Sequence, residues 1–424
     1  MFRLIMPLFQ GTVLLIACAP LLIGSSTLIG QITGSAGAAF VTMAVIAALG
    51  TAGATLFTDR PVLVAPYMGL TAICCFNLYW GNGIPYSTIL LVVAITGSVL
   101  VAISVTGIAG HILNAVPPVL VAAMGAAVGL AMASVGLRYA GIIVSHPLSD
   151  LAIGSLAARV PLVVGTGLIA GFSAYSRNHK YYLEIGAAVS LFAALCVGLV
   201  SSPELTVSLS PYSQLNFPVA QIPTSLPVQW EGIISLALLI VLDTLAMLVV
   251  LRECFSLSEQ QINRVSAVNG ACLIVCAVLG APGVALVPES SLARVQTNRW
   301  SAPTLWLGGL LIIGSVVPGL IAYSGVGLDF GRTGLQYPLV SSILLLGGLT
   351  LTTALRGVDW SNRESSFTVG TVILLAVFGG SIATAFVGGL GVIAISRMVT
   401  RKAGTLPQWC YLTLGLGIMW RLIS

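Results

Sequence analysis

Residues 62–70 read VLVAPYMGL, and residues 284–292 read VALVPESSL. Each is a short valine-rich run that meets a proline and continues into a segment too short to cross a membrane. An offset of 222 lays Pro66 on Pro288 and Tyr67 on Glu289. Proline suits the first turn of a helix, where its missing N–H would lack a partner anyway. Both runs therefore read as a few extended residues entering a half-helix, with two ordinary proline kinks as the competing account. Extended backbone at membrane depth is tolerated only where protein buries it or a cavity borders it. Two such breaks at matching places in two halves of a chain point to a substrate site.

The rest of the sequence places these breaks in lipid. Of 424 residues, 57% are hydrophobic and 7% are charged, against about 25% charge in a soluble domain. Apolar stretches long enough to cross a hydrocarbon core of about 30 Å recur from end to end. Their approximate limits are 4–24, 36–58, 66–80, 86–109, 115–140, 158–175 and 181–201, then 230–252, 263–280, 288–300, 302–323, 336–355, 366–381 and 383–398. The fold class this implies is an all-α polytopic membrane protein of about fourteen segments, with short strands at broken segments 3 and 10.

Residues 202–229, polar and rich in proline, divide the chain into a first repeat (1–201) and a second (230–398). An odd number of segments on each side would insert the second half upside down, as in an inverted 7+7 repeat. The tail 399–424 carries one more apolar stretch, 407–422, which lies on the membrane or crosses it. Arg3 and the run Leu15-Ile16-Ala17-Cys18 imitate a lipoprotein signal, but further spans follow, so 4–24 reads as the first segment.

Basic residues fall in short connections: Arg60, Arg177, Lys180, Arg252, Arg264, Arg299, Arg356 and Arg363, with Arg397, Arg401 and Lys402 near the end. If the N-terminus is cytoplasmic, nearly all of these lie inside, and Arg138, Arg159 and Arg332 lie outside. That bias obeys the positive-inside rule, so the net charge of +5 reports orientation and not nucleic-acid binding. The partner it implies is the lipid bilayer, here a bacterial inner (plasma) membrane. The eight cysteines, with no CxxC among them, read as buried small hydrophobes.

Two acids stand away from segment ends. Asp243 is in the middle of SLALLIVLDTLAMLVVL (235–251), and Glu289 follows the proline of the second break. A carboxylate at mid-membrane costs a few kcal/mol, so it must face a cavity or a partner. Withdrawal from water favours the protonated form of any carboxyl, and a neutral heterocycle with N–H donors suits such a pair. The bland accounts are a hydrogen-bonded bundle residue for Asp243 and an ion pair with Arg294 for Glu289. His111, His146 and His179 read as interfacial. Metal-ligand spacing, a nucleophile–base set and a nucleotide-binding loop are all missing from the sequence. The reading is therefore of a carrier and not an enzyme, with no cofactor and no metal.

Four stretches resemble the nucleobase/ascorbate transporter superfamily, in its AzgA-like purine-permease branch. They are APYMGLTA (65–72), HILNAVPPVLVAAMGAAVGLAMASVGLRYAGIIV (111–144), LDTLAM (242–247) and VPESSLA (287–293). The resemblance runs from about residue 10 to 398. It implies a core domain of segments 1–4 and 8–11, a gate domain of segments 5–7 and 12–14, and substrate between the broken segments. By position it assigns the family's two acids to Asp243 and Glu289, for substrate binding and proton coupling. It puts Pro66, Tyr67 and Met68 on the opposite wall, with Thr71, Met247 and Ser290 nearby. Dimers are common in that superfamily, so a homodimer is raised as well.

The chain departs from the family's usual residues at Tyr67 (usually Gly), Thr71 (usually Asn) and Ala246-Met247 (usually Gly-Thr). After Glu289 it has Ser-Ser-Leu-Ala in place of Ser-Ala-Ala-Gly. Larger, more apolar groups thus enter the pocket. The leading reading is proton symport of a purine base such as guanine, hypoxanthine or adenine. An anion transporter of SulP type with Arg294 at its site, and a membrane sensor or scaffold that no longer transports, are the alternatives.

Overall fold

The computed structural model describes residues 18–199, 230–295 and 336–423, except positions 19, 20, 23, 35, 147–149, 180, 380 and 401–406. Most of predicted segment 4–24, the connection 202–229, the end of 288–300 and all of 302–323 lie outside the described residues.

Long apolar sequences form long helices here because only a helix satisfies its own backbone in lipid. In chain order they are α1 (Ala36–Thr58), a short α2 (Met68–Ala72) that widens into a π-helix (Ile73–Gly81), α3 (Tyr86–Val105), α4 (Ile108–Ala115), α5 (Pro118–Tyr139), α6 (Arg159–Ser176) and α7 (Tyr182–Cys196). In the second part come α8 (Trp230–Phe255), α9 (Glu259–Val278), a 3₁₀ helix (Pro288–Val295), α10 (Gln336–Leu351) with a 3₁₀ extension (Thr352–Gly357), α11 (Arg363–Phe378), α12 (Ile382–Val399) and α13 (Gln408–Ile423). Among the described residues, seven helical stretches are long and apolar enough to cross a membrane. The stretch 407–422 is one helix, α13.

Segment 86–109 is shorter than the sequence suggests. It ends at Val105 because Gly107 takes φ 79° and starts the separate α4. Segment 115–140 begins at Pro118, with Pro117 as its N-cap and proline at the first helical position. The sequence reading missed an antiparallel hairpin after α5, formed by Ile143–His146 and Asp150–Ile153. These strands are labelled β2 and β3.

Both predicted breaks are strands. β1 (Val64–Pro66) pairs antiparallel with β4 (Val284–Leu286), Val64 opposite Leu286, Ala65 opposite Ala285 and Pro66 opposite Val284. The local two-fold of that pair relates 65 to 285, an offset of 220 and not 222. Met68, and not Pro66, therefore corresponds to Pro288, and each of these residues opens its half-helix. A slip of two residues keeps every side chain on its face, which is why the sequence similarity survives it.

An extended strand leaves backbone groups that water cannot reach, and side chains satisfy them. The Thr51 hydroxyl accepts from the Val64 N–H and donates to the Val64 carbonyl, both at 3.0 Å. Ser290 does the same for Leu63, accepting at 3.0 Å and donating at 2.9 Å. Asn269 Oδ1 accepts from the Leu286 N–H at 2.9 Å, and its amide donates to the Thr244 hydroxyl at 3.1 Å. The Tyr67 N–H reaches the Gly283 carbonyl at 2.8 Å. The crossing of the two breaks is thus held by α1, α8 and α9.

Helices elsewhere meet on small residues, as expected in lipid. α3 packs on α9 where Gly97 faces Gly270, and α5 packs on α10 where Gly129 faces Gly348. α8 runs through the middle, touching α3, α5, α12, α13 and both halves of the second break.

Candidate functional site

The two half-helices start side by side because their strands pair. That pairing brings Tyr67 and Met68 from one break next to Pro288 and Glu289 from the other. Between them and the facing helices lies a cavity of about 340 Å³, near the lower end of the roughly 300–1,000 Å³ typical of small-molecule sites. Its far wall is apolar: Val128, Met132 and Val135 of α5, Leu344 of α10, the end of α11 at Ala376–Gly379, and Ile382 of α12. Arg138, in the last turn of α5, also lines it.

Glu289 is 8% exposed, and its Oε2 has no hydrogen-bond partner among the described residues. A buried carboxyl oxygen left so is costly, and the residue that carries it lines the cavity. Asp243 is buried as well, yet it is not on the cavity wall. Its Oδ1 accepts from the Tyr67 hydroxyl at 3.2 Å, and the Ala383 N–H in the first turn of α12 also donates to it. Tyr67, where the family usually has glycine, therefore stands between Asp243 and the cavity.

The other expected residues sit behind the wall. The Ser290 hydroxyl is committed to Leu63, and the Thr71 hydroxyl donates at 3.3 Å to the Tyr67 carbonyl one turn back. Met247 is in the hydrophobic core, and Pro66 is buried in its strand. Arg294 belongs to the end of the 3₁₀ helix, and its side chain lies outside the described residues. The sequence reading missed Arg138 as a cavity residue, having assigned it only to orientation. The apolar wall carries no chemical signal by which a sequence could reveal it.

No protein-family model matches the chain. The chain is 26% identical over 374 residues to the guanine/hypoxanthine permease PbuG of Bacillus subtilis, covering 87% of this chain and 82% of that one. It is 24% identical over 376 residues to the adenine permease AdeP of Escherichia coli, covering 83% and 79%. This chain is a homologue of purine permeases. The resemblance to the nucleobase/ascorbate transporter family thereby stands across most of the sequence.

The purine-permease homologue also shares a fold with solved anion transporters. The transmembrane domain of a cyanobacterial bicarbonate transporter, BicA, superposes with a TM-score of 0.51 at 16% identity, covering 92% of this chain and 98% of that one. The murine Slc26a9 anion transporter in its inward-facing state gives 0.50 at 12% identity, covering 94% and 68%. These likenesses speak for the architecture alone. With its apolar helices, they make the homologue a multi-pass integral membrane protein.

Proposed function

We propose that this protein carries a purine nucleobase across the membrane by proton symport, with the base bound in the cavity between the two breaks and α5, α10 and α12. The observation that carries the proposal is Glu289, which lines that cavity and whose buried carboxyl has one oxygen, Oε2, with no hydrogen-bond partner among the described residues. A purine N–H offered to that oxygen makes a charge-assisted hydrogen bond. The base is flat and largely apolar on its faces, which suits the Val128, Met132 and Leu344 wall. Tyr67 and Met68 complete the contact, while Asp243, Pro66, Thr71, Met247 and Ser290 shape the support behind it. Asp243 and Glu289 are the candidates to carry the proton.

The names of the relatives favour purines such as guanine, hypoxanthine and adenine. The local two-fold of β1 and β4 supports a 7+7 inverted arrangement of about fourteen segments, with 1–201 and 230–398 as its halves. The charge bias of the connections supports a cytoplasmic N-terminus, in the inner membrane of a bacterium.

The test is uptake of labelled hypoxanthine in cells stripped of their own purine permeases, with and without a protonophore. Uptake that competes with guanine or adenine and collapses with the protonophore bears the proposal out. A second reading, anion transport, draws on Arg138 in the cavity wall. It predicts no purine uptake, but bicarbonate or sulfate uptake that Arg138→Ala abolishes. A protein present in the membrane that moves neither class would be a sensor or scaffold.

A further inference from the structure

Tyr67 has two neighbours of opposite kind. Tyr67 is one of the residues that line the cavity, with Met68 and Glu289, and its hydroxyl donates to Asp243 Oδ1. A phenol has one proton to give and lone pairs to receive. While Asp243 is ionised it can only accept, so the Tyr67 proton is committed to it and the phenol oxygen faces the cavity as an acceptor. Once Asp243 is protonated it can donate to the phenol oxygen, and the Tyr67 proton is released to point at the cavity. The Ala383 N–H can only donate, so it holds the carboxyl in place in either state.

We propose that Tyr67, and not Asp243, touches the substrate, and that Asp243 is a positioning residue whose proton decides whether Tyr67 offers the base an acceptor or a donor. The proposal rests on the purine-carrier reading. Asp243 takes its proton from the solution on one side and releases it on the other. The hydrogen bonds along Asp243, Tyr67 and the base reverse as a set, and no covalent bond to the substrate forms or breaks. A base that gives an N–H to Glu289 and an acceptor to protonated Tyr67–Asp243 is held at two points. After deprotonation it keeps only one of these contacts.

Other charges near the pair are few. Glu289 is the second acid within electrostatic reach of Tyr67. On α8 itself, Glu231, Arg252 and Glu253 are near the ends, and Arg252 bonds the Leu113 carbonyl. Of the helices packed on α8, α12 has Arg397, which pairs with Glu364. α9 has Glu259, which bonds His111 and Asn114, and Arg264. α5 has Arg138, and α13 has Arg421 in its last turn. The thiols Cys272 and Cys276 of α9 are buried.

The experiment is initial-rate uptake and counterflow of labelled hypoxanthine between about pH 5 and 8, in permease-deficient cells. It compares wild type, Tyr67→Phe, Asp243→Asn and the double variant, with membrane levels matched. Tyr67→Phe keeps the ring and removes the bridge, so KM should rise about five- to tenfold and the pH profile should flatten. In Asp243→Asn, the new side-chain amide would donate to the phenol as a protonated Asp does. That variant should therefore hold KM within about threefold, keep counterflow, and lose both uphill accumulation and the pH dependence. In the double variant KM should match Tyr67→Phe alone. Should Tyr67→Phe not reach the membrane, the counterflow of Asp243→Asn decides the matter. The proposal fails if Tyr67→Phe keeps the wild-type KM and pH profile, or if Asp243→Asn abolishes counterflow. Wild type that moves no base would overturn the carrier reading, and this proposal with it.

Discussion

Glu289 concentrates the site's energetics in one oxygen. Leaving a buried acceptor unpaired costs about 1–3 kcal/mol, and a base that donates to it recovers that cost. Glu289→Gln keeps the shape but puts a neutral amide where a charge-assisted bond would form. Uptake at low substrate should fall roughly 10- to 100-fold, with the protein still in the membrane; unaltered uptake would move the site elsewhere. Thr51 and Ser290 carry a different burden, because each hydroxyl satisfies both backbone groups of a strand residue. Thr51→Val and Ser290→Ala should each lower stability by about 1–3 kcal/mol, read as earlier thermal unfolding in detergent. The sequence announced Glu289 and Asp243 because a carboxyl in an apolar run needs a reason. It was silent on Thr51 and Asn269 and named Ser290 only as a residue near the substrate, because their strand partners are 13, 17 and 227 residues away. Hydroxyl and amide residues in lipid are too common to stand out without those partners.

At the scale of elements, the helices were legible and their contacts were not. Among the described residues, apolar length located the long helices to within a few residues, and the proline runs located the strands β1 and β4. Gly107 split one segment, and the β2–β3 hairpin escaped because its eight residues show neither the length nor the alternation that marks a strand. The abundance of glycine, 47 residues, acquires a purpose only from the packing. A methyl group built on Gly97 would lie 2.7 Å from the Gly270 carbonyl oxygen, and one on Gly270 would lie 2.6 Å from that of Gly97. Neither backbone can yield without moving a whole helix. Gly270→Ala should therefore separate α3 from α9 and destabilise the protein by about 1–3 kcal/mol. Gly391→Ala, whose new methyl would meet only the tip of Leu414 at 3.7 Å, should change little. Thermal unfolding of both variants, side by side, checks the contrast.

Over the whole molecule, the cavity belongs to neither half of the chain. Tyr67 and Met68 come from the first half, Pro288 and Glu289 from the second, and pairing of β1 with β4 is what joins them. With the N-terminus cytoplasmic, as the charge bias suggests, the last turn of α5, the end of α11 and the start of α12 lie on the extracytoplasmic side. Those ends contribute Val135, Arg138, Phe378, Gly379 and Ile382 to the cavity wall, so outward opening of the cavity is the expectation to test. Orientation and state can then be tested together at Val135, which is exposed and lines the cavity. Seven of the eight cysteines are buried and Cys196 is exposed, so a Cys196→Ser background leaves little competing reactivity. In that background, Val135→Cys should react in intact cells with a membrane-impermeant thiol reagent, and lose uptake as it does so. Excess hypoxanthine should slow the reaction, because a base in the cavity covers the wall that α5 provides. Reaction confined to inside-out vesicles would reverse the assigned orientation. Reaction from outside that no purine slows would show that the cavity is a surface cleft and not the path of the substrate.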